Sequence, residues 1–339
     1  MITESQIQKT VGTKDKAIAL RYLLTVGELS SLGVDNESAV RDSFQQHEII
    51  DLGGRKAGLY PAAVKRYLSQ RGVDYSFRVV SHINLRGGIG KTTATVTCAT
   101  RAIQYGFKVC ILDLDPQGSS SLLFEKIPID GEPIFYDIWK NPGKMVRHAI
   151  KDIEGGLSIV PSSLENALLD MSLSNPAAQK NAVKDVCMQL RLAGFDIVFV
   201  DSPPSLGVAV ISAICASDIV VVPMCEDVFS LKGLELTLNE IDSICSAFNL
   251  ARPQIRILYS KYDRRVKITM DVFRYLSEHY NNELITVPIR TSTDFIKAMS
   301  KRETVFAGHK TGTAREDYDR YVRQLLGITI QGTDRESGK

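Results

Sequence analysis

From Phe77 onward the chain alternates short apolar runs with longer stretches of helical periodicity. The runs are Arg78–Leu85, Lys108–Asp113, Leu157–Val160, Asp196–Asp201, Asp218–Pro223, Gln254–Tyr259 and Leu284–Val287. Most are apolar at successive positions rather than at every other one, as in strands covered on both faces of a parallel sheet. Helix-length segments separate them. The pattern predicts a doubly wound, mainly parallel α/β domain over 77–330, with its ligand at the carboxyl ends of the strands. A polar tail, 331–339, follows it.

Residues 1–76 read differently. Ala17–Leu24 is an apolar-rich helix, and a second, short helix is expected near Asn36–His47. A Gly-rich turn, DLGGRKAGLY, then leads to a helix opened by Pro61. Between Leu52 and Val73 stand Arg55, Lys56, Lys65, Arg66 and Arg71, with no acid among them. Short helices, a glycine turn and a basic helix suit a small helix-turn-helix or winged-helix unit that binds DNA. On that reading Lys65 and Arg66 are contacts, with Arg55 and Lys56 in the turn before them. The competing reading is a helical appendage with a solvated basic face.

Composition narrows the class. A net charge of +2 over 339 residues carries no global message, so any basic surface must be local. No apolar run approaches the roughly 20 residues of a membrane-spanning helix, and the polar N-terminus lacks the apolar stretch of a signal peptide. Six cysteines are scattered with no C-x-x-C pair, which fits reduced, buried thiols in a cytoplasmic protein and argues against a metal site.

The chemistry concentrates at the end of the first run. Arg86-Gly87-Gly88-Ile89-Gly90-Lys91-Thr92-Thr93 joins an apolar strand to a helix, the order a phosphate-cradling loop needs. Lys91 would reach the β- and γ-phosphates of a nucleotide, and the Thr92 hydroxyl would hold Mg²⁺. The usual spacing asks for glycine at position 85, where this chain has Leu85. Two further runs end in acids, Asp115 in I-L-D-L-D-P-Q-G and Asp201 in F-V-D-S-P-P-S. Each could hold Mg²⁺ through water, orient an attacking water, or merely cap a turn. Three such strand ends in one parallel sheet point to nucleotide hydrolysis.

These motifs together resemble the ParA-type partition ATPases, which share a deviant phosphate loop with MinD-like proteins and the nitrogenase iron protein. D-I-V-V-V-P-M, L-Y-S-K-Y-D-R-R and V-P-I-R-T-S-T extend the resemblance over roughly Phe77–Gly327, and the N-terminal unit looks like that of the longer plasmid-type proteins. The resemblance implies ATP and Mg²⁺ as cofactors, with Arg86, Gly87, Gly88, Ile89, Gly90, Lys91, Thr92 and Thr93 at the nucleotide. Lys91, Asp115 and Arg86 take the catalytic roles, Asp115 positioning water, and Thr92, Asp201 and Asp115 stand near the metal. Where the family carries a signature lysine that crosses a nucleotide-sandwich dimer, this chain has Arg86; the charge is kept and the geometry is not. Cysteines placed to bridge a cluster between subunits, a Lys-rich amphipathic C-terminus and a Tyr-rich tail are missing, which separates the chain from the iron protein, MinD-like proteins and tyrosine kinases of the superfamily.

Between Arg252 and Arg302 there are eleven basic and five acidic residues. That surplus suits sequence-independent contact with DNA phosphates. Arg265 and Arg290 look like positions where ParA proteins face DNA, although Asp263 could pair with Arg265 and Arg290 could touch the nucleotide. The implied function is DNA segregation: an ATP-bound homodimer on nucleoid DNA, released when a ParB-type partner stimulates hydrolysis. A nucleotide-sensing repressor of its own operon and a cargo-positioning ATPase of a conjugation or secretion system are the alternatives.

Overall fold

The computed structural model describes residues 21, 23–33, 35–54, 56–225, 228–308 and 311–329. Most of the helix expected over Ala17–Leu24, the candidate contact Arg55 and the polar tail lie outside them. The chain opens with β1 (Leu24–Thr25), α1 (Val26–Ser30), α2 (Glu37–Asp42), β2 (Ile49–Asp51), β3 (Ala57–Leu59) and α3 (Pro61–Ser69). Thr25 and Glu28 form a capping box on α1, Asn36 caps α2, and Pro61 opens α3.

The expectation of a helical unit needs correcting here. β1, β3 and β2 form an antiparallel sheet in that order, with Leu24 opposite Leu59 and Ile50 opposite Gly58. The Gly-rich turn is the tip of the β2–β3 hairpin, where Gly53 and Gly54 have φ of 80° and 58°. Strands of two and three residues are too short to show a period, so the hairpin reads as a loop.

The larger part follows as β4 (Arg78–His82), α4 (Lys91–Gln104), β5 (Val109–Asp113), α5 (Ser119–Leu123), β6 (Lys151–Glu154), β7 (Leu157–Val160), α6 (Pro176–Leu192), β8 (Ile197–Asp201), α7 (Val208–Ala216), β9 (Ile219–Met224), α8 (Val228–Ala247), β10 (Gln254–Tyr259), α9 (Lys267–His279), α10 (Thr293–Ser300) and α11 (Thr313–Leu326). The seven-stranded sheet runs β10-β9-β4-β8-β5-β7-β6, and every neighbouring pair is parallel except β6 with β7. Successive residues face opposite ways. Val80, Ile111 and Phe199 pack with α4, α11 and the N-terminal residues on one face, and Val79, Cys110 and Val198 pack with α6, α7 and α8 on the other. This is the doubly wound architecture expected.

One strand differs from expectation at each edge. Leu284–Val287 makes only an isolated bridge, Ile257 to Leu284, with Ile285 and then Ile289 donating to β10 carbonyls and no regular ladder between them. The seventh strand is instead β6, whose charged KDIE sequence suits an exposed edge.

The N-terminal residues are seated on the sheet's helical layer. A Cβ on Gly106, at φ 88°, would lie 2.6 Å from the Pro61 carbonyl and 2.7 Å from the Lys65 nitrogen, so α3 can approach only because this turn is glycine. Leu29, Val40, Leu59, Val64 and Leu68 share one core with Ala99, Ile103 and Phe107. No helix among the described residues is long and apolar enough to cross a membrane.

Candidate functional site

β4, β8 and β5 lie side by side, and Asp201 falls opposite both His82 and Asp113. The three strand exits therefore open at one level. After β4 the chain curls through Ile83–Gly90 into α4. Asn84, buried below the loop, fixes it from inside: its Nδ2 donates to the Pro223 carbonyl (2.8 Å) and its Oδ1 accepts from the Arg86 N–H (2.9 Å). Gly88 and Gly90 adopt φ of 73° and 95°, conformations that put backbone N–H groups on the inner side of a loop. Ile89 is buried and anchors the turn.

Lys91, the first residue of α4, is itself buried. Its Nζ donates to the carbonyls of Asn84 (3.1 Å) and Arg86 (3.0 Å), spanning the loop from within. Burial lowers its pKa, and the charges of Asp201 and Asp115 oppose that shift. Gly87, Gly88, Gly90, Lys91, Thr92 and Thr93 line a cleft of ≈ 370 Å³ together with Asp115, Ser119, Pro204 and Lys261. Arg86 gives its backbone to the loop, while its exposed side chain is not part of the cleft wall. A larger groove, ≈ 730 Å³, runs between Arg41 and Asp42 of α2 and the hairpin, but it holds no comparable set of lysine, hydroxyls and strand-end acids.

The acids have distinct surroundings. Asp113 accepts both the backbone N–H (3.0 Å) and hydroxyl (2.7 Å) of Ser121. Asp201 Oδ2 accepts from the Ser120 hydroxyl (2.7 Å), whereas its Oδ1 is buried without a hydrogen-bond partner. Burial raises the pKa of both. The Ser120 and Thr92 hydroxyls moderate the shift at Asp201, and the charge of Asp201 adds to it at Asp113. Asp115 reaches the cleft, its Oδ1 accepting from the Gln117 N–H (2.9 Å). Thr92, Asp201 and Asp115 form an all-oxygen set, the kind a hard divalent cation takes. Among the described residues no group of three His, Cys, Asp or Glu could hold a metal alone, so a cation here needs oxygens from a phosphate or water as well.

The residues expected to face DNA are placed less simply. Arg265 is 85% exposed, with its guanidinium on Asp263 (2.6 Å), the local pair foreseen as an alternative. Arg290 grips Asp317 with Nε and Nη2 (2.9 and 2.6 Å); Asp317 is buried, so this pair holds α11 to the strand ends. Lys65 bonds Asp196 (2.7 Å) and Arg66 pairs with Glu48. Both sit on α3, the helix pressed onto Gly106, and their geometry is that of struts within the molecule. Sequence reasoning passed over Asp113 and Lys261. The first was signalled by the doubled acid in D-L-D; the second lies 173 residues from the loop it touches.

A family model described as an AAA domain matches residues 77–257, more than half of the chain. The chain belongs to this family. Among similar proteins, the cell division protein PomZ of Myxococcus xanthus is 27% identical over 248 residues, covering 72% of this chain and 76% of PomZ. The chromosome partitioning protein ParA of Caulobacter vibrioides is 25% identical, covering 74% and 94%. Among solved structures, apo McdA of Cyanothece superposes with a TM-score of 0.66 at 17% identity over 74% of this chain and all of McdA. A putative plasmid partition protein of Borrelia burgdorferi bound to AMPPNP gives 0.60 at 19% identity, over 74% and 99%. The likeness to ParA-type partition ATPases read from the motifs is borne out, and the AAA-domain match begins at Phe77, where the sheet's first strand is about to start.

Proposed function

We propose that the protein is an ATP-hydrolysing DNA-partition factor of the ParA type. The observation that carries the reading is the buried, unpartnered Asp201 Oδ1 beside a lysine-bearing glycine loop and the strand-end acids Asp113 and Asp115. A buried polar atom without a partner is costly and points to a missing ligand. The residues fit Mg²⁺ and a nucleoside triphosphate: Thr92, Asp201 and Asp115 would hold the cation, and the loop N–H groups with Lys91 would hold phosphate. When bound, Mg²⁺ neutralises charge on the phosphate oxygens.

The chain's own groups supply the rest. Lys91 exchanges the Asn84 and Arg86 carbonyls for phosphate oxygens, a strong charge-assisted replacement. The N-terminus of α4 adds its dipole. Asp115, at the cleft wall, accepts a hydrogen bond from the attacking water and orients it, while Ser120 and Ser121 hold Asp201 and Asp113 in place. Arg86 is exposed on the loop, where a second copy could receive it across a dimer. The exposed basic residues of 252–302, Arg265 among them, supply contact with DNA phosphates, and a ParB-type partner would stimulate turnover.

The test is DNA retention by the purified protein with and without ATP and Mg²⁺. Retention on any sequence should require ATP, fall steeply with salt, and disappear in Lys91→Ala. ATP-independent retention equal in Lys91→Ala would refute the reading. A second function is favoured by one observation: strand, helix, helix and hairpin in β1-α1-α2-β2-β3 follow the order of a winged helix. On that reading α2 and the hairpin tip, which frame the ≈ 730 Å³ groove, read an operator in place of Lys65 and Arg66.

A further inference from the structure

Lys261 follows β10, on the side of the phosphate loop away from the acids. In the sheet order, β9 and β10 flank β4 on one side, while β8, ending in Asp201, and β5, followed by Asp115, flank it on the other. Its side chain crosses to the loop, and Nζ donates to the Gly88 carbonyl at 3.2 Å. It lines the same cleft as Lys91, Thr92 and Asp115.

The residue is held there at a cost. Lys261 has φ of 58°, a left-handed conformation unfavourable for a residue with a Cβ. The backbone around it is fastened on both sides: Ser260 N–H to the Met224 carbonyl (2.7 Å), Tyr262 N–H to the Ile289 carbonyl (2.9 Å), and Thr291 N–H back to the Tyr262 carbonyl (3.0 Å). Strain that persists because its surroundings impose it is a mark of function. The Gly88 carbonyl uses one of an ammonium's three donors, and a neutral acceptor is a weaker partner than an anion.

We propose that Lys261 is a phosphate-contacting residue that closes the cleft over the last phosphate of a bound nucleoside triphosphate. This rests on the nucleotide reading given above and assigns it a discriminating group. The depth of the two lysines separates their roles. Lys91 is buried at the head of α4, where the helix dipole and loop N–H groups meet the phosphates from within the loop. Lys261 is exposed at the mouth, where a third phosphate adds negative charge that a diphosphate lacks. Because Arg86 does not line the cleft, Lys261 is the second cation there within one chain, among the described residues.

The experiment is calorimetric titration of ATP and of ADP, each with Mg²⁺, into wild type, Lys261→Asn, Lys261→Arg and Lys91→Ala. Asparagine tolerates the left-handed backbone and removes the charge, so Lys261→Asn keeps the loop while deleting the ammonium. It should weaken ATP about tenfold and ADP less than about twofold, and Lys261→Arg should recover most of the loss. ATP affinity unchanged in Lys261→Asn, with binding lost in Lys91→Ala, would overturn the assignment and leave the nucleotide site standing. Equal losses for ATP and ADP accompanied by a lower Tm would also overturn it, in favour of a structural role. Wild-type protein that binds neither nucleotide would overturn both readings.

Discussion

The helix α4 carries a buried charge cluster at each end, and the two are built on opposite principles. At its C-terminal end, Arg101 donates to Asp319 (2.7 Å), Glu28 (3.2 Å) and Gln104 (2.7 Å), and Arg315 donates to Glu28 (2.7 Å) and the Gly308 carbonyl (3.0 Å). With Arg323 on the other Asp319 oxygen (3.2 Å), three cations meet two carboxylates, joining the N-terminal unit, the loop helix and α11. At the N-terminal end, Asp115 and Asp201 act on Lys91, Asp113 lies beside Asp201, and one Asp201 carboxylate oxygen has no hydrogen-bond partner. In the first cluster both carboxylates are met by cations of the chain itself. The second is short of positive charge, and that deficit is the space a ligand fills.

Mutations should separate them. Arg101→Leu leaves Glu28 and Asp319 with a lost partner in the interior, where breaking a buried pair costs about 3–5 kcal/mol. Thermal or urea unfolding should show a loss of that size with nucleotide chemistry intact in the folded fraction. Asp201→Asn should do the reverse. It removes a buried charge that the free chain only partly compensates, so stability should hold or rise, while Mg²⁺-dependent nucleotide binding is lost. Equal destabilisation by the two substitutions would erase the distinction.

The difference also explains what could be read from the sequence. Gly87–Thr93 is contiguous, and Asp115 and Asp201 close apolar runs whose strands are visible as strands. A parallel sheet then brings those ends together without further information. The C-terminal cluster offers no such pattern, because Glu28 and Arg315 are 287 residues apart, and the separate Lys65–Asp196 pair spans 131. Basic residues on α3 look like a DNA-facing surface until their partners are known. β6 was hidden for a related reason: an edge strand of charged residues has no apolar period.

Protons should act on the two ends in opposite directions. Burial would raise Glu28, but the charges of Arg101 and Arg315 and the bond from the Thr25 N–H outweigh it and hold its pKa at about 2, against an ordinary 4.5. A carboxylate depressed in the folded state contributes stability that is full above its unfolded pKa and is lost as pH falls through the folded one. The contribution, at most on the order of 3 kcal/mol, should therefore disappear between about pH 5 and 2. Asp201 is raised by burial, so its ionisation weakens the fold as pH rises above the ordinary carboxylate range. Unfolding measured from pH 7 to 3 should show both variants converging on wild type in acid from opposite sides, Glu28→Gln from lower stability and Asp201→Asn from equal or higher stability. Parallel profiles for the two variants would refute the contrast.

The smallest effect tests the N-terminal unit, whose two sides extend the same comparison. On the side facing the sheet, Lys65 reaches Asp196, which also accepts the Lys108 backbone N–H (2.7 Å). Asp196 thus keeps a partner when Lys65 is removed, and Lys65 itself is 37% exposed. Lys65→Ala should cost about 0.5 kcal/mol, the range of surface pairs, and should leave any operator footprint unchanged. On the groove side, Arg41 lies on α2 and is exposed. Arg41→Ala should weaken the footprint without moving Tm, because a phosphate or base contact is lost and no internal partner is stranded. If Lys65→Ala removes the footprint and Arg41→Ala does not, α3 is the reading element and leaves its seat on Gly106 to act. That outcome would also make the seam around α3 a movable contact, in contrast to the Arg101 cluster beside it.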